Sequence, residues 1–257
     1  MAADARASAV RPAPGQRARA ALFWLVFAAN TIVIGIVAGV VGWLLPSRRA
    51  YRFGYWWCWL NLHAARWIGG LAWRVQGREA IPERAVVFLS KHQSIWETMA
   101  LVVLLPEHVH VLKRELLRVP FFGWGLAALR PIAIDRSAGR DAVDQLRLQG
   151  RAQLAAGRSV MVFPEGTRVR PGATARYRPG GAILAAETAT PMVPIAHNAG
   201  ELWSRDTWVP RAGVVDVIVG APIDPAGRSP EVLNEAVSTW IEARMGELPG
   251  AGAARSP

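Results

Sequence analysis

The chain has 257 residues, enough for one large domain, or for one domain carried by a membrane anchor. It is 52% hydrophobic with a mean hydropathy of +0.18, which is greasy for a soluble protein and too polar for a polytopic one. The net charge of +11 favours anionic partners such as phosphate groups or anionic lipid head groups, and the single cysteine, Cys58, excludes an intrachain disulfide.

Residues 1–20 are rich in Ala, Arg and Pro without apolar periodicity, and are expected to form a disordered basic tail. Residues 21–71 are expected to form a membrane-associated helical pair. The stretch 21–45 is almost continuously apolar. As a helix it reaches across a bilayer core of roughly 30 Å. Trp24 and Trp43 would stand roughly 28 Å apart along such a helix, at the two interfaces. The stretch 51–73 interleaves Trp56, Trp57, Trp59, Trp67 and Trp73 with Arg52, His63 and Arg66, the composition of an interfacial helix. Arginines lie on both sides of the first segment. The positive-inside rule therefore asks for both of its ends on the cytoplasmic side, as in a hairpin dipping into one leaflet, whereas the tryptophan spacing suits a full span. Either way the domain that follows is expected on the cytoplasmic face of the inner membrane.

From residue 72 to 248 short apolar runs alternate with helical patterns, the mark of an α/β sandwich around a largely buried sheet. Strands are expected at 72–76, 85–90, 109–112, 131–134, 160–163, 192–196 and 214–219, and helices at 97–105, 122–129, 140–156 and 180–188. A last helix begins after Ser229, a capping residue followed by Pro230 and Glu231 in the first turn. Residues 249–257 read as a flexible tail.

Three polar segments follow expected strands, the places where open α/β folds put their sites. Lys91-His92-Gln93-Ser94-Ile95-Trp96-Glu97 places a carboxylate five residues after an imidazole. A helix starting between them can bring Glu97 back to one ring nitrogen of His92, leaving the other free as a base. Lys113-Arg114-Glu115-Leu116 puts one of the two lysines at a strand end, suited to a phosphate clamp or to an ordinary charged loop. In Phe163-Pro164-Glu165-Gly166-Thr167-Arg168, Gly166 permits close approach of backbone to a ligand and Arg168 can hold a phosphate with two donors.

The combination of blocks resembles the glycerolipid acyltransferase family of 1-acyl-glycerol-3-phosphate acyltransferases. His92 and Glu97 match its His-x4-acid motif. Lys113 to Leu116, Pro120, Gly123 and Ile134-Asp135-Arg136 match its second block, Phe163 to Arg168 its third, and Val193-Pro194-Ile195 its fourth. The resemblance covers residues 72–220. It departs at Glu97, where the family usually has Asp. What the resemblance implies is a glycerol-3-phosphate-acyltransferase-like fold and transfer of an acyl group from acyl-CoA or acyl carrier protein to a lysophospholipid. In that reading His92 is the general base and Glu97 orients it. Lys113 and Arg168 hold the acceptor phosphate, while Glu165, Gly166 and Thr167 shape the substrate site. No cofactor or metal is implied. The nearest alternatives are another lysolipid acceptor, such as a lyso-aminolipid, and a noncatalytic lipid-binding protein on the membrane. Nucleic acid is not an expected partner, because no basic recognition helix is apparent.

Overall fold

A computed structural model describes residues 14–250. Two helices, α1 (Pro14–Val41) and α2 (Ser47–Trp67), precede β1 (Leu71–Gln76), β2 (Val87–Ser90), α3 (Trp96–Leu104), β3 (His108–Lys113), α4 (Phe122–Ala128) and β4 (Ile132–Ile134). There follow α5 (Arg140–Ala155), β5 (Ser159–Val162), α6 (Gly180–Thr188), β6 (Met192–His197), the single turn α7 (Ala199–Leu202), β7 (Gly213–Val219) and α8 (Pro230–Glu247). The strands form one seven-stranded sheet in the order β1-β7-β6-β2-β5-β3-β4, parallel except where β6 meets β7.

All seven expected strands are present. Side chains alternate across the sheet, as period-two geometry requires. Phe88, Met161, Phe163, Val193 and Ile195 enter a core shared with α2 and α3, whereas Val87, Leu89, Val160, Val162 and Met192 enter a second core beneath α6 and α8. Every residue of β2 and β5 is buried, which explains their unbroken apolar runs. The chain leaves β2 toward β3 on one side and later returns to β6 on the other, so the C-terminal end of β2 is a topological switch point, where such sheets leave a crevice.

The N-terminal region differs from expectation in three respects. Helix α1 begins at Pro14 rather than at residue 21, so the last part of the expected basic tail is helical. It is held there because Gln16 donates to the Pro210 carbonyl at 3.0 Å and Arg19 to the Ile68 carbonyl at 2.5 Å. The remainder of that tail, residues 1–13, lies outside the described residues, as does 251–257 of the expected C-terminal tail. Secondly, α2 ends at Trp67 instead of running to residue 73. Gly70, at φ +76°, closes the helix by donating to the Arg66 carbonyl, and Trp73 belongs to β1. Thirdly, Trp24 is not at a free helix end. Its indole donates to the Trp208 carbonyl at 2.8 Å and packs against Trp203.

Helices α1 and α2 form a hairpin, tied by Trp57 to Thr31 (3.0 Å) and Asn30 to Asn61 (3.3 Å). Both ends of α1 rest on the domain. Phe23 is fully buried against Trp203, and Gly35 lies so close to the Phe121 carbonyl that a Cβ would stand 2.3 Å from its oxygen. Leu22, Leu25, Val33, Val40 and Leu44 on the opposite face are exposed. Among the described residues, α1 with its following turn is the one helix long and apolar enough to cross a membrane by length and composition.

Candidate active site

The junction between β2 and α3 folds around Glu97. Its Oε1 accepts from the backbone N–H groups of Gln93 (2.9 Å) and Ser94 (2.8 Å), donors that an incipient helix leaves unsatisfied. The same oxygen lies 2.8 Å from Nδ1 of His92. The carboxylate therefore starts the helix and holds the imidazole in one act, with Nδ1 as the protonated nitrogen and Nε2 unencumbered. Burial pushes the Glu97 carboxyl up, but the bond to His92 and the backbone N–H of Ser94 bring it below the ordinary range. The extra methylene relative to Asp does not prevent the contact. It leaves Oε2 buried without a partner. The His92 ring stacks on Phe163 at 4.2 Å.

Behind His92 lies a buried ionic cluster. Lys91 is 1% exposed, and its ammonium lies 3.0 Å from Glu165 and 2.7 Å from Glu242 of α8. Tyr177 donates to Glu242 at 2.8 Å. Glu165 Oε2 accepts from the backbone N–H of His92 at 2.8 Å. Burial raises the Glu165 carboxyl to about 7, against Lys91 and the His92 amide, with Glu242 adding to the rise. Glu165 thus positions the His92 backbone. Gly166 has a structural part in the same turn. Its φ of +69° completes the turn in which its N–H donates to Phe163, and its carbonyl accepts from Arg136 at 2.7 Å. The N–H of Val169 donates to the His92 carbonyl at 2.7 Å, so the turn between β5 and α6 clamps the histidine from both sides.

A cavity of about 890 Å³ opens at His92. Lys113, Thr167 and Arg168 line it, as the sequence suggests, and so do Arg136 and Arg205. Arg136 was visible only as part of a motif block. Arg205 was missed altogether, because it comes from the loop after α7 and nothing local marks it. It reaches the site by donating to the Arg168 carbonyl at 2.6 Å. His197 was also missed. It ends β6, donates from Nε2 to the Lys91 carbonyl at 2.8 Å and accepts from Ala199 at Nδ1, so it is a neutral brace kept uncharged by burial. The rest of the cavity is mainly apolar, with Trp57, Phe122 and Leu126 among its walls. An imidazole, a cluster of cations and an apolar groove thus share one cavity.

Comparison with known proteins agrees with this arrangement. The family model described as Acyltransferase matches residues 72–198. A 1-acyl-sn-glycerol-3-phosphate acyltransferase of Pseudomonas aeruginosa is 41% identical over 91% of this chain and 92% of its own length. One from Cocos nucifera is 27% identical over 71% of this chain and 60% of its own length. The crystal structure of the 1-acyl-sn-glycerophosphate acyltransferase PlsC from Thermotoga maritima superposes with a TM-score of 0.75, covering 90% of this chain and 95% of that one at 20% identity, which bears on the fold. With its His-x4-Glu pair, its Phe163 to Arg168 turn and a relative matched nearly end to end, the chain belongs to the acyltransferase family, among the 1-acyl-sn-glycerol-3-phosphate acyltransferases.

Proposed function

We propose that the protein transfers a fatty acyl group from an acyl thioester, on CoA or acyl carrier protein, to the free hydroxyl of 1-acyl-glycerol-3-phosphate, giving phosphatidic acid. The observation that carries this reading is the unencumbered Nε2 of His92 at the wall of a cavity that joins cations to an apolar groove. His92 takes the proton of the acceptor hydroxyl as its oxygen attacks the thioester carbonyl. Glu97 stabilises the imidazolium that forms. The C–O bond is made in that attack; when the tetrahedral intermediate collapses the C–S bond breaks, and His92 returns the proton to the departing thiolate. Lys113, Arg136, Arg168 and Arg205 neutralise the acceptor phosphate, and Thr167 adds a hydroxyl donor. The apolar groove takes the acyl chain. No cofactor or metal enters these steps.

The membrane is the source of the lysolipid acceptor and takes up the phosphatidic acid product. Because both ends of α1 rest on the domain, the exposed face of the hairpin supports embedding in one leaflet rather than a perpendicular span. The arginines on both sides of the apolar segment support a domain on the cytoplasmic face of the inner membrane.

The test is acyl transfer to 1-acyl-glycerol-3-phosphate by membranes carrying the wild type or His92→Ala at equal protein level. A loss of at least about a hundredfold in the variant is expected. Equal rates in both would remove His92 from the mechanism. Wild-type transfer to a lyso-aminolipid in place of the phosphate acceptor would reassign the head group.

A further inference from the structure

The cavity is not apolar to its end. A row of rings leads inward from the base. Phe163 lies 4.2 Å from His92, His110 is 5.9 Å from Phe163, and His108 is 4.9 Å from His110, centroid to centroid. His108 opens β3 and Arg158 immediately precedes β5, so the row runs from the catalytic edge of the sheet toward the opposite edge. His108 and Arg158 both line the cavity, and they are 1% and 4% exposed.

Their hydrogen bonding is incomplete in complementary ways. His108 donates from Nδ1 to the Pro106 carbonyl at 2.8 Å, which makes Nε2 the acceptor nitrogen. Burial holds the ring down to a pKa of about 4, so it stays neutral. That Nε2 has no partner. Arg158 donates from Nη1 to Gln153 at 3.0 Å and has Nε 3.3 Å from Glu107 as an ion pair, but neither Nε nor Nη2 has a hydrogen-bond partner. A buried donor and a buried acceptor thus belong to two residues that line one apolar cavity, each carrying an unmet desolvation cost that a hydrocarbon chain cannot relieve.

We propose that this inner end of the cavity is a subsite for a hydroxyl carried near the far end of an acyl chain. The hydroxyl oxygen accepts from Arg158 Nη2 and its proton is donated to His108 Nε2. The proposal rests on the groove being the acyl site. A hydroxyl is the simple substituent that is donor and acceptor at once. A ketone would leave His108 unpaired, and a carboxylate would meet the lone pair of His108 and the charge of Glu107. A plain methyl end that reaches this depth leaves both groups unmet. Plain chains should therefore be favoured only where they stop short of it.

The experiment is displacement of a fluorescent fatty acid from the purified full-length protein by a ladder of plain fatty acids and their ω-hydroxy counterparts. At the length that reaches His108, the ω-hydroxy acid is expected to displace the probe at about tenfold lower concentration than the plain acid, the effect of one net hydrogen bond. That preference should vanish in His108→Leu and in Arg158→Met, two variants chosen so that misfolding of one leaves the other. Plain acids equal to or better than hydroxylated ones at every length in the wild type would overturn the proposal and leave ordered water as the occupant. So would a hydroxyl preference unchanged in both variants. Transfer of ω-hydroxyacyl groups from their CoA thioesters is measured alongside. Binding preference without any transfer, from plain or hydroxylated donors, would sink the enzymatic reading and leave the subsite standing, whereas transfer without preference would do the reverse.

Discussion

Single side chains carry unequal burdens at this site. Glu97 serves two backbone donors and His92 through one oxygen. In Glu97→Gln the amide oxygen can still accept, but the negative charge that stabilises the imidazolium is gone. Turnover is expected to fall on the order of a hundredfold with KM little changed, measured in a steady-state transfer assay. Glu165 behaves oppositely in pH. Its carboxyl is raised in the folded state to about 7, so its contribution to stability is present below the unfolded carboxylate range and is lost as pH rises through about 7. Thermal unfolding of wild type against Glu165→Gln between pH 5 and 8 should therefore show the variant gaining on the wild type as pH rises. A constant difference across that range would mean that Lys91 fully offsets the burial of Glu165. The His-x4-acid pairing was legible in the residues themselves, since five positions bridged by a helix start bring the groups together. The buried role of Glu165 was not legible, because its partners Lys91 and Glu242 are distant in sequence.

At the level of elements, strands were the most legible feature because burial on both faces writes itself as short apolar runs bounded by turn residues. The packing of α4 against α1 was not. It depends on Gly35 and Gly39 of α1 meeting the Phe121 carbonyl and Trp124, and glycines in an apolar helix give no hint of what approaches them. Gly35→Val would drive side-chain carbon into the Phe121 carbonyl and push α4, a wall of the cavity, away from the hairpin. A loss of about 1–3 kcal/mol in stability is expected. It would be seen as a lower unfolding temperature in detergent, with an increased KM for the lysolipid. An unchanged melting temperature would show that the two helices part easily.

Across the whole molecule the hairpin and the catalytic domain share one core. Phe23 is fully buried between Trp24 and Trp203, and the indole of Trp24 is bonded to the loop that supplies Arg205. Removal of residues 1–41 is therefore expected to yield an aggregating, inactive domain, checked by size-exclusion chromatography in detergent and by transfer assay. A monodisperse, active product would show the anchor to be dispensable. The amino-acid sequence by itself determined the α/β alternation, the apolar N-terminal segment and the pairing of His92 with Glu97, because these depend on periodicity and on groups close along the chain. Tertiary structure alone decided that α1 lies along the domain, that Glu165 holds the His92 backbone and that Gly166 holds Arg136. It also decided that Arg136 and Arg205 complete the cation cluster and that the groove ends in His108 and Arg158. Those outcomes depend on which distant segments share a surface, and local patterning places no constraint on that.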